Sequence, residues 1–222
     1  MLDRPHTQPR THTETRIVIG KTVVFAACLL PFALIALDVA RGTLGPDPVA
    51  QITHETGIWA LRLLLATLAM TPLRLLAGSA LPIRFRRMLG LFAFFYATLH
   101  LAVYVVLDLR GYWPQVLEDI VTRPYITVGF TALLMMVPLA ITSTRGMIRR
   151  LGRRWGQLHR LVYPAAMLAC LHFFWLVKAD KREPLIYAAI LAVLLAFRLP
   201  WLRERLAAIS RGSTAGRRSA PR

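Results

Sequence analysis

Long apolar stretches alternate with short polar connections along most of this chain. Six stretches have about 20 residues each, and a helix of that length crosses a hydrocarbon core of about 30 Å. They lie at residues 17–37, 57–77, 88–107, 125–142, 158–177 and 184–202. The pattern predicts an all-α membrane protein, a six-transmembrane-helix bundle. Residues 111–120, between the third and fourth stretches, carry aromatics that favour a short interfacial helix.

Positive charge is concentrated in alternate connections. The 222 residues are 56% hydrophobic and carry a formal net charge of +17. Arginines cluster in both tails, between spans two and three, and between spans four and five. These are Arg4, Arg10, Arg16, Arg74, Arg84, Arg86, Arg87, Arg145, Arg149, Arg150, Arg153, Arg154, Arg203, Arg205, Arg211, Arg217, Arg218 and Arg222. The other connections are nearly neutral, so the positive-inside rule places both termini in the cytoplasm and nucleic-acid binding is not indicated.

This composition divides the chain into one membrane domain and two tails. Residues 1–16 predict a disordered cytoplasmic tail, 17–205 the six-helix domain, and 206–222 a flexible basic cytoplasmic tail. Because the first apolar stretch is long, we interpret it as an uncleaved anchor. Cys28 and Cys170 both lie in apolar stretches, which supports neither a disulfide framework nor a thiolate metal site. No internal repeat is evident.

His100 and His172 carry the clearest chemical signal, because ionisable residues inside membrane spans are rare and usually functional. They lie in spans three and five, which run in the same direction, and the predicted topology places both towards the outer side. Two neutral imidazoles at similar depth on different helices suit the two axial positions of a haem iron. The alternative is that each histidine only bonds a neighbouring helix.

His159 lies near the inner end of span five, thirteen residues before His172, or roughly 20 Å along a helix. That spacing leaves room for a second cofactor layer. The matching level of span three carries Arg86, Arg87 and Met88, and no histidine. A second haem there needs a non-histidine ligand, an open position or no second ligand. Otherwise His159 binds a propionate, a flavin phosphate or a quinone oxygen, or makes a plain helix contact.

Several short motifs carry a family resemblance across residues 17–205. They are GPDPV at 45–49, THETGIWAL at 53–61, LAMTPLR at 68–74, RRMLGL at 86–91, YATLH at 96–100, RPYI at 123–126, ITS at 141–143, WGQLHRLVY at 155–163 and HFFW at 172–175. In this order they resemble the haem-binding membrane subunits, MsrQ, of the bacterial periplasmic methionine sulfoxide reductase system. That family lies within the wider ferric-reductase-like transmembrane group.

The resemblance implies a multi-pass protein of the bacterial inner membrane with b-type haem and flavin mononucleotide (FMN). Its haem-ligand histidines fall on His100, His159 and His172. It implies that electrons pass from the quinol pool to a periplasmic molybdopterin-containing reductase, which repairs oxidised methionine in proteins and holds the catalytic site. A cytoplasmic flavin reductase stays open as another partner.

The residues themselves leave three functions open. About twenty residues follow span six, too few for flavin- and nucleotide-binding domains, so we expect a lipid-soluble or separate electron donor. The first function is an electron-transfer cytochrome feeding a separate reductase, and the second is a ferric-chelate reductase subunit. The third is a small transporter or structural membrane protein without haem.

Overall fold

The computed structural model describes residues 12–199, with side chains from residue 17, and every regular element in that range is a helix. The helices are α1 His12–Arg41, α2 Pro48–Ala77, α3 Arg86–Val103, α4 Trp113–Thr122, α5 Pro124–Ile141, α6 Arg145–Leu151, α7 Arg153–Leu158, α8 Val162–Leu176 and α9 Arg182–Ala196. A π-helical turn, Tyr104–Asp108, extends α3, and 3₁₀ turns at Pro82–Arg84 and His159–Leu161 precede α3 and α8. The all-α prediction is confirmed over this range.

Four helices are long and apolar enough to cross a membrane. They are α1 from Ile17, α2, α3 with its π-helical extension, and α5. Helices α8 and α9 have 15 residues each, and that length spans about 22 Å, less than a hydrocarbon core of about 30 Å. The chain is a membrane protein, and the count of six spans and the orientation of the termini stay predictions.

The predicted tails fall largely outside the described residues. The whole of 206–222 lies beyond residue 199, and the N-terminal tail enters the described range only at His12, where α1 begins. Both boundaries of the predicted domain therefore stay predictions.

The two ends of the bundle differ in the connections they carry. One end, called the α4 end, has the α1–α2 loop, helix α4 and the α8–α9 loop. The other, called the α6 end, has the α2–α3 turn and helices α6 and α7. Helix α2 is capped at the α4 end by Asp47, whose carboxylate accepts from the Ala50 amide at 3.0 Å. It ends before Gly78, whose φ of 60° suits a residue without a side chain.

Two helix pairs form the centre of the fold. Helix α2 packs mainly against α3, and α5 packs mainly against α8. The two pairs meet where α3 contacts α5 and α2 contacts α8. Ala93 on α3 and Ala165 and Ala166 on α8 are fully buried, and such small residues let helix backbones approach closely. The core therefore lies between the two pairs, with α1 and α9 at its edges.

Pro31 interrupts the backbone ladder of α1, and a side chain from α3 enters beside it. The hydroxyl of Tyr96 accepts from the Phe32 amide at 2.9 Å and donates to the Cys28 carbonyl at 2.8 Å. It thereby replaces the direct bond that the Phe32 amide would make four residues back. Tyr96 is fully buried, so this insertion fastens α1 to α3.

Pro72 has a comparable effect in α2. Proline has no amide hydrogen, so the carbonyl of Leu68, four residues earlier, loses its helical donor. The guanidinium of Arg198 donates to that carbonyl from Nη2 at 2.9 Å and to the Tyr163 hydroxyl from Nη1 at 3.0 Å. The segment that follows α9 is thus bonded to both α2 and α8.

Helix α4 has an inner and an outer face. Val116 and Asp119 are buried, whereas Trp113, Leu117 and Val121 are exposed on the other side. This confirms the short amphipathic helix expected between the third and fourth apolar stretches.

Candidate functional site

A cavity of about 460 Å³ lies between the two helix pairs and extends to the α4 end. His100 from α3 and His172 from α8 both line it, with an apolar wall that includes Leu61, Leu64 and Met136. The volume is within the range of small-molecule and cofactor pockets, about 300–1,000 Å³. The structure therefore brings the two histidines of the predicted pair into one site.

His100 is held by the helix that pairs with its own. Its Nδ1 lies 2.9 Å from the Thr53 carbonyl of α2. One turn further along α2, a Cβ on Gly57 would lie 3.0 Å from the imidazole. A carbonyl can only accept, so Nδ1 carries the proton. Thr53 and Gly57 together fix the tautomer of His100 and let its ring lie against the helix.

His172 is held in the same way by α5. Its Nδ1 lies 2.6 Å from the Tyr125 carbonyl, and it too must donate. Four residues after Tyr125, a Cβ on Gly129 would lie 2.6 Å from that Nδ1, closer than real contacts allow. The position tolerates only glycine while the ring keeps this place.

The two rings face each other across the cavity. Their centroids are 6.1 Å apart and their planes are inclined by 81°. A metal bonded to one nitrogen of each ring, at about 2 Å per bond, gives a centroid separation of roughly 6 Å. Among the described residues neither Nε2 has a hydrogen-bond partner, so both lone pairs are available. The arrangement can place two neutral imidazoles on one metal ion.

Two protein ligands do not complete the coordination of a metal ion. Within residues 12–199 no group of three or more His, Cys, Asp or Glu side chains could hold one. Protein-only metal sites use three or four such ligands, whereas a haem iron takes only its axial ligands from the protein. The donor set and the size of the cavity therefore fit a haem.

A polar network braces the mouth of the cavity. Asp119 of α4, only 2% exposed, accepts from the Tyr104 hydroxyl, from Gln115 at 2.9 Å and from Arg123 at 3.0 Å. The hydrogen bond from Tyr104 is the main reason that the pKa of Asp119 is below its usual range, although burial opposes that shift. Because Tyr104 extends α3 and Arg123 precedes α5, the carboxylate ties the two helix pairs together.

His159 is separated from the other two histidines. It lies at the α6 end, does not line the cavity, and has its Nε2 3.1 Å from the hydroxyl of Thr142. Its ring stacks on Trp155 with centroids 4.0 Å apart, and the indole of Trp155 donates to the Thr142 carbonyl at 3.0 Å. The structure therefore places His159 in a contact between α5, α7 and α8.

Sequence reasoning missed the residues that hold the two histidines. Both hydrogen bonds join residues 47 positions apart. The same offset of 72 relates Thr53 to Tyr125, Gly57 to Gly129 and His100 to His172. No repeat was evident because few residue types match, but this spacing is a signal that the sequence contains.

Comparisons with known proteins agree with the motifs. The family described as "Ferric reductase like transmembrane component" matches residues 56–170. A protein of Xanthomonas axonopodis pv. citri (strain 306) is 58% identical over 215 residues, which cover 94% of this chain and 96% of the relative. One of Rhodospirillum rubrum is 56% identical over 189 residues, or 84% and 91% of the two chains. Both relatives are called "Protein-methionine-sulfoxide reductase heme-binding subunit MsrQ".

Proposed function

From the premise that this chain belongs to the MsrQ family of heme-binding subunits of protein-methionine-sulfoxide reductase, we propose that it is a membrane electron-transfer subunit with a b-type haem. It passes electrons from the quinol pool to a periplasmic molybdoenzyme that reduces methionine sulfoxide in proteins. The observation that carries the proposal is the pair of imidazoles 6.1 Å apart across a cofactor-sized cavity.

The chain's own residues prepare this cavity for haem. The haem supplies one-electron transfer when it is bound. Thr53 and Tyr125 hold the proton on each Nδ1, which leaves each Nε2 lone pair free to bind the iron and would raise the basicity of the ring. The apolar wall would surround the haem, and both histidines would ligate in the neutral form, so the two ligands would add no buried charge.

The charges at the two ends support a direction for electron transfer. The connections at the α6 end carry five arginines between α5 and α8, namely Arg145, Arg149, Arg150, Arg153 and Arg154. By the positive-inside rule this end is cytoplasmic, so the α4 end faces the periplasm of an inner-membrane protein. His100 and His172 lie in the half of the bundle nearer the α4 end, which suits delivery to a periplasmic partner.

Further parts of the proposal rest on the family resemblance alone. These are FMN as a second cofactor, the molybdopterin of the partner, and a cytoplasmic flavin reductase as another electron source. The resemblance also makes His159 a candidate ligand of a second haem or another cofactor. The contact of His159 Nε2 with Thr142 favours a structural role, so one haem per chain is the stoichiometry we propose.

A spectrum and a purification test the proposal. The purified protein should contain about one haem per chain and show the reduced-minus-oxidised bands of a six-coordinate, low-spin b-type haem. Colourless protein from haem-replete cells would contradict it and favour a transporter or structural protein. Co-purification with a periplasmic molybdoenzyme should follow when both are expressed.

A ferric-chelate reductase subunit is the second candidate, and the match to the ferric-reductase-like family favours it. It shares the haem but not the partner. If haem-loaded protein reduces ferric chelates rapidly and never co-purifies with a molybdoenzyme, this second function replaces the first.

A further inference from the structure

A second groove, of about 280 Å³, lies between α1 and α2 on the side of α2 that faces away from His100. Part of its wall is apolar and includes Pro31, Leu34, Ile35 and Ile52. Leu34 is 50% exposed on the outer surface of the bundle, where a membrane protein meets lipid. A ligand of this groove can therefore arrive through the membrane.

Charged and aromatic side chains line another part of the groove. Glu55, Trp59 and Arg62 line it from α2, and Asp38 lines it towards the α4 end. Within residues 17–199 neither Glu55 nor Arg62 belongs to an ion pair. Ionisable side chains are costly within a membrane span and mark a site when they face a cavity.

Arg62 is fixed in place by two contacts. Its Nε donates to the Tyr187 hydroxyl of α9 at 2.8 Å, and its guanidinium lies 5.1 Å from the ring centre of Trp59. The remaining guanidinium donors stay available for a ligand oxygen. Glu55 lies seven residues earlier on α2, or roughly 10 Å along the axis, on a similar face.

These residues fit the headgroup of one class of molecule. A ring with an oxygen at each end spans roughly 10 Å once a hydrogen bond is added to each oxygen. Trp59 offers an aromatic face, Arg62 donates to one oxygen, and the carboxylate of Glu55 accepts the hydroxyl proton of the other. We infer that the groove between α1 and α2 binds the headgroup of a quinol, with its apolar tail in the lipid beside Leu34.

The groove and the cavity that holds His100 and His172 lie on opposite sides of α2. Thr53 and Gly57, on either side of Glu55 in sequence, contact His100 from the opposite face of α2. One helix, about 10–12 Å thick with its side chains, separates the two sites. Oxidation of one quinol to one quinone releases two protons and two electrons. The carboxylate of Glu55 accepts the protons in turn and releases them past Asp38, and the electrons pass singly to the haem of the proposed function, on which this inference rests.

Photolabelling of the full-length protein in membranes tests binding without reference to turnover. An azido-substituted quinone, cross-linked by light and mapped by mass spectrometry, should label residues 31–38 and 51–62, and an excess of quinol should suppress the labelling. Labelling elsewhere, or labelling that quinol does not suppress, would overturn the inference; the latter would identify a lipid crevice.

Variants connect binding with electron entry. Glu55→Gln and Leu34→Trp, which fills the groove, should each slow haem reduction by added quinol at least tenfold, with unchanged haem content and unchanged reduction by dithionite. Glu118→Gln, which removes an exposed carboxylate of α4, is the control and should reduce at the wild-type rate. Normal quinol-driven reduction in both groove variants would overturn the site and leave the proposed function intact. Failure of quinol to reduce wild-type haem would remove the quinol donor itself.

Discussion

His100 and His172 reach the cavity from opposite sides, and each is held by the helix that pairs with its own. On both sides a backbone carbonyl accepts from Nδ1, and a glycine four residues later leaves room for the ring. At the α6 end this correspondence fails, because the offset of 72 that relates the other residues pairs His159 with Arg87. Each helix pair therefore contributes a histidine to the site at the α4 end, whereas only one pair contributes a histidine at the α6 end.

Removal of His100 or His172 should have the largest effect on haem binding. We expect His100→Ala and His172→Ala each to abolish the six-coordinate haem bands, because both halves are needed to fill the axial positions. Reduced-minus-oxidised spectra and haem per chain measure this, with His6→Ala in the N-terminal tail as the matched control. If the six-coordinate bands survive one of these substitutions, the substituted histidine is not a haem ligand.

Substitution of Gly57, beside His100, and of Gly129, beside His172, should weaken haem binding to different extents. An added Cβ would lie 2.6 Å from His172 Nδ1 at Gly129, but 3.0 Å from the His100 ring at Gly57. Since overpacking costs about 1–3 kcal/mol, Gly129→Ala should weaken haem binding by about tenfold or more, or about 1.4 kcal/mol. Gly57→Ala should have a smaller effect. Haem titration of the apoprotein measures both.

Gly146→Ala is the control for these variants, because a Cβ there meets nothing within 4 Å. Equal losses at Gly57 and Gly129, or a greater loss at Gly57, would contradict the difference in packing between the two halves.

The hydrogen bonds that Asp119 accepts from Tyr104, Gln115 and Arg123 should stabilise α4 in a pH-dependent way. The pKa of Asp119 is lowered in the folded protein, so its contribution to stability is present above the unfolded pKa of about 3.9 and is lost as pH falls through the folded value. Amide exchange in α4, corrected for its intrinsic pH dependence, should be constant above about pH 5 and accelerate below about pH 4.

Asp119→Asn tests the same brace at neutral pH. Loss of the carboxylate should accelerate exchange in α4 by about tenfold, which corresponds to about 1.4 kcal/mol. Glu118→Asn, on the exposed side of the same helix, should leave the exchange unchanged. Identical exchange in Asp119→Asn and the wild type would show that Asp119 does not join the two pairs.

The smallest effect on haem should come from the α6 end. His159→Ala removes the contact with Thr142 and the stacking on Trp155, at a cost of about 1 kcal/mol in stability. Haem per chain and the bands of the His100–His172 site should not change, and a thermal melt should detect the loss. Two haems per wild-type chain that fall to one in His159→Ala would place a second haem at His159 and restore the symmetry between the two ends.

The sequence predicted the pair His100 and His172 because buried imidazoles are conspicuous in apolar surroundings. It could not predict the carbonyls of Thr53 and Tyr125, since a backbone group has no residue type to recognise. Gly57 and Gly129 were missed because glycine is common in membrane helices. His159 seemed comparable to the other two in one dimension, and only the fold shows that it lies outside the cavity and bonds Thr142.

The groove between α1 and α2 was beyond sequence reasoning for a different reason. Glu55 lay outside the predicted span, which began at residue 57, and Arg62 lay inside it with no indication of which helix face carried it. The helix begins at Pro48, which places both residues within its length and on the side that faces α1.

The carbonyls that hold His100 and His172 belong to the main chain, and this has a consequence for how the protein can vary. No single substitution at residue 53 or 125 deletes the acceptor, whichever side chain is encoded there. The tautomer of each histidine is thus protected against most random mutation at its partner, whereas the codons of Gly57 and Gly129, four residues later, are highly sensitive. In engineered variants, substitutions at residues 53 and 125 should therefore leave each tautomer unchanged, whereas residues 57 and 129 should tolerate only glycine.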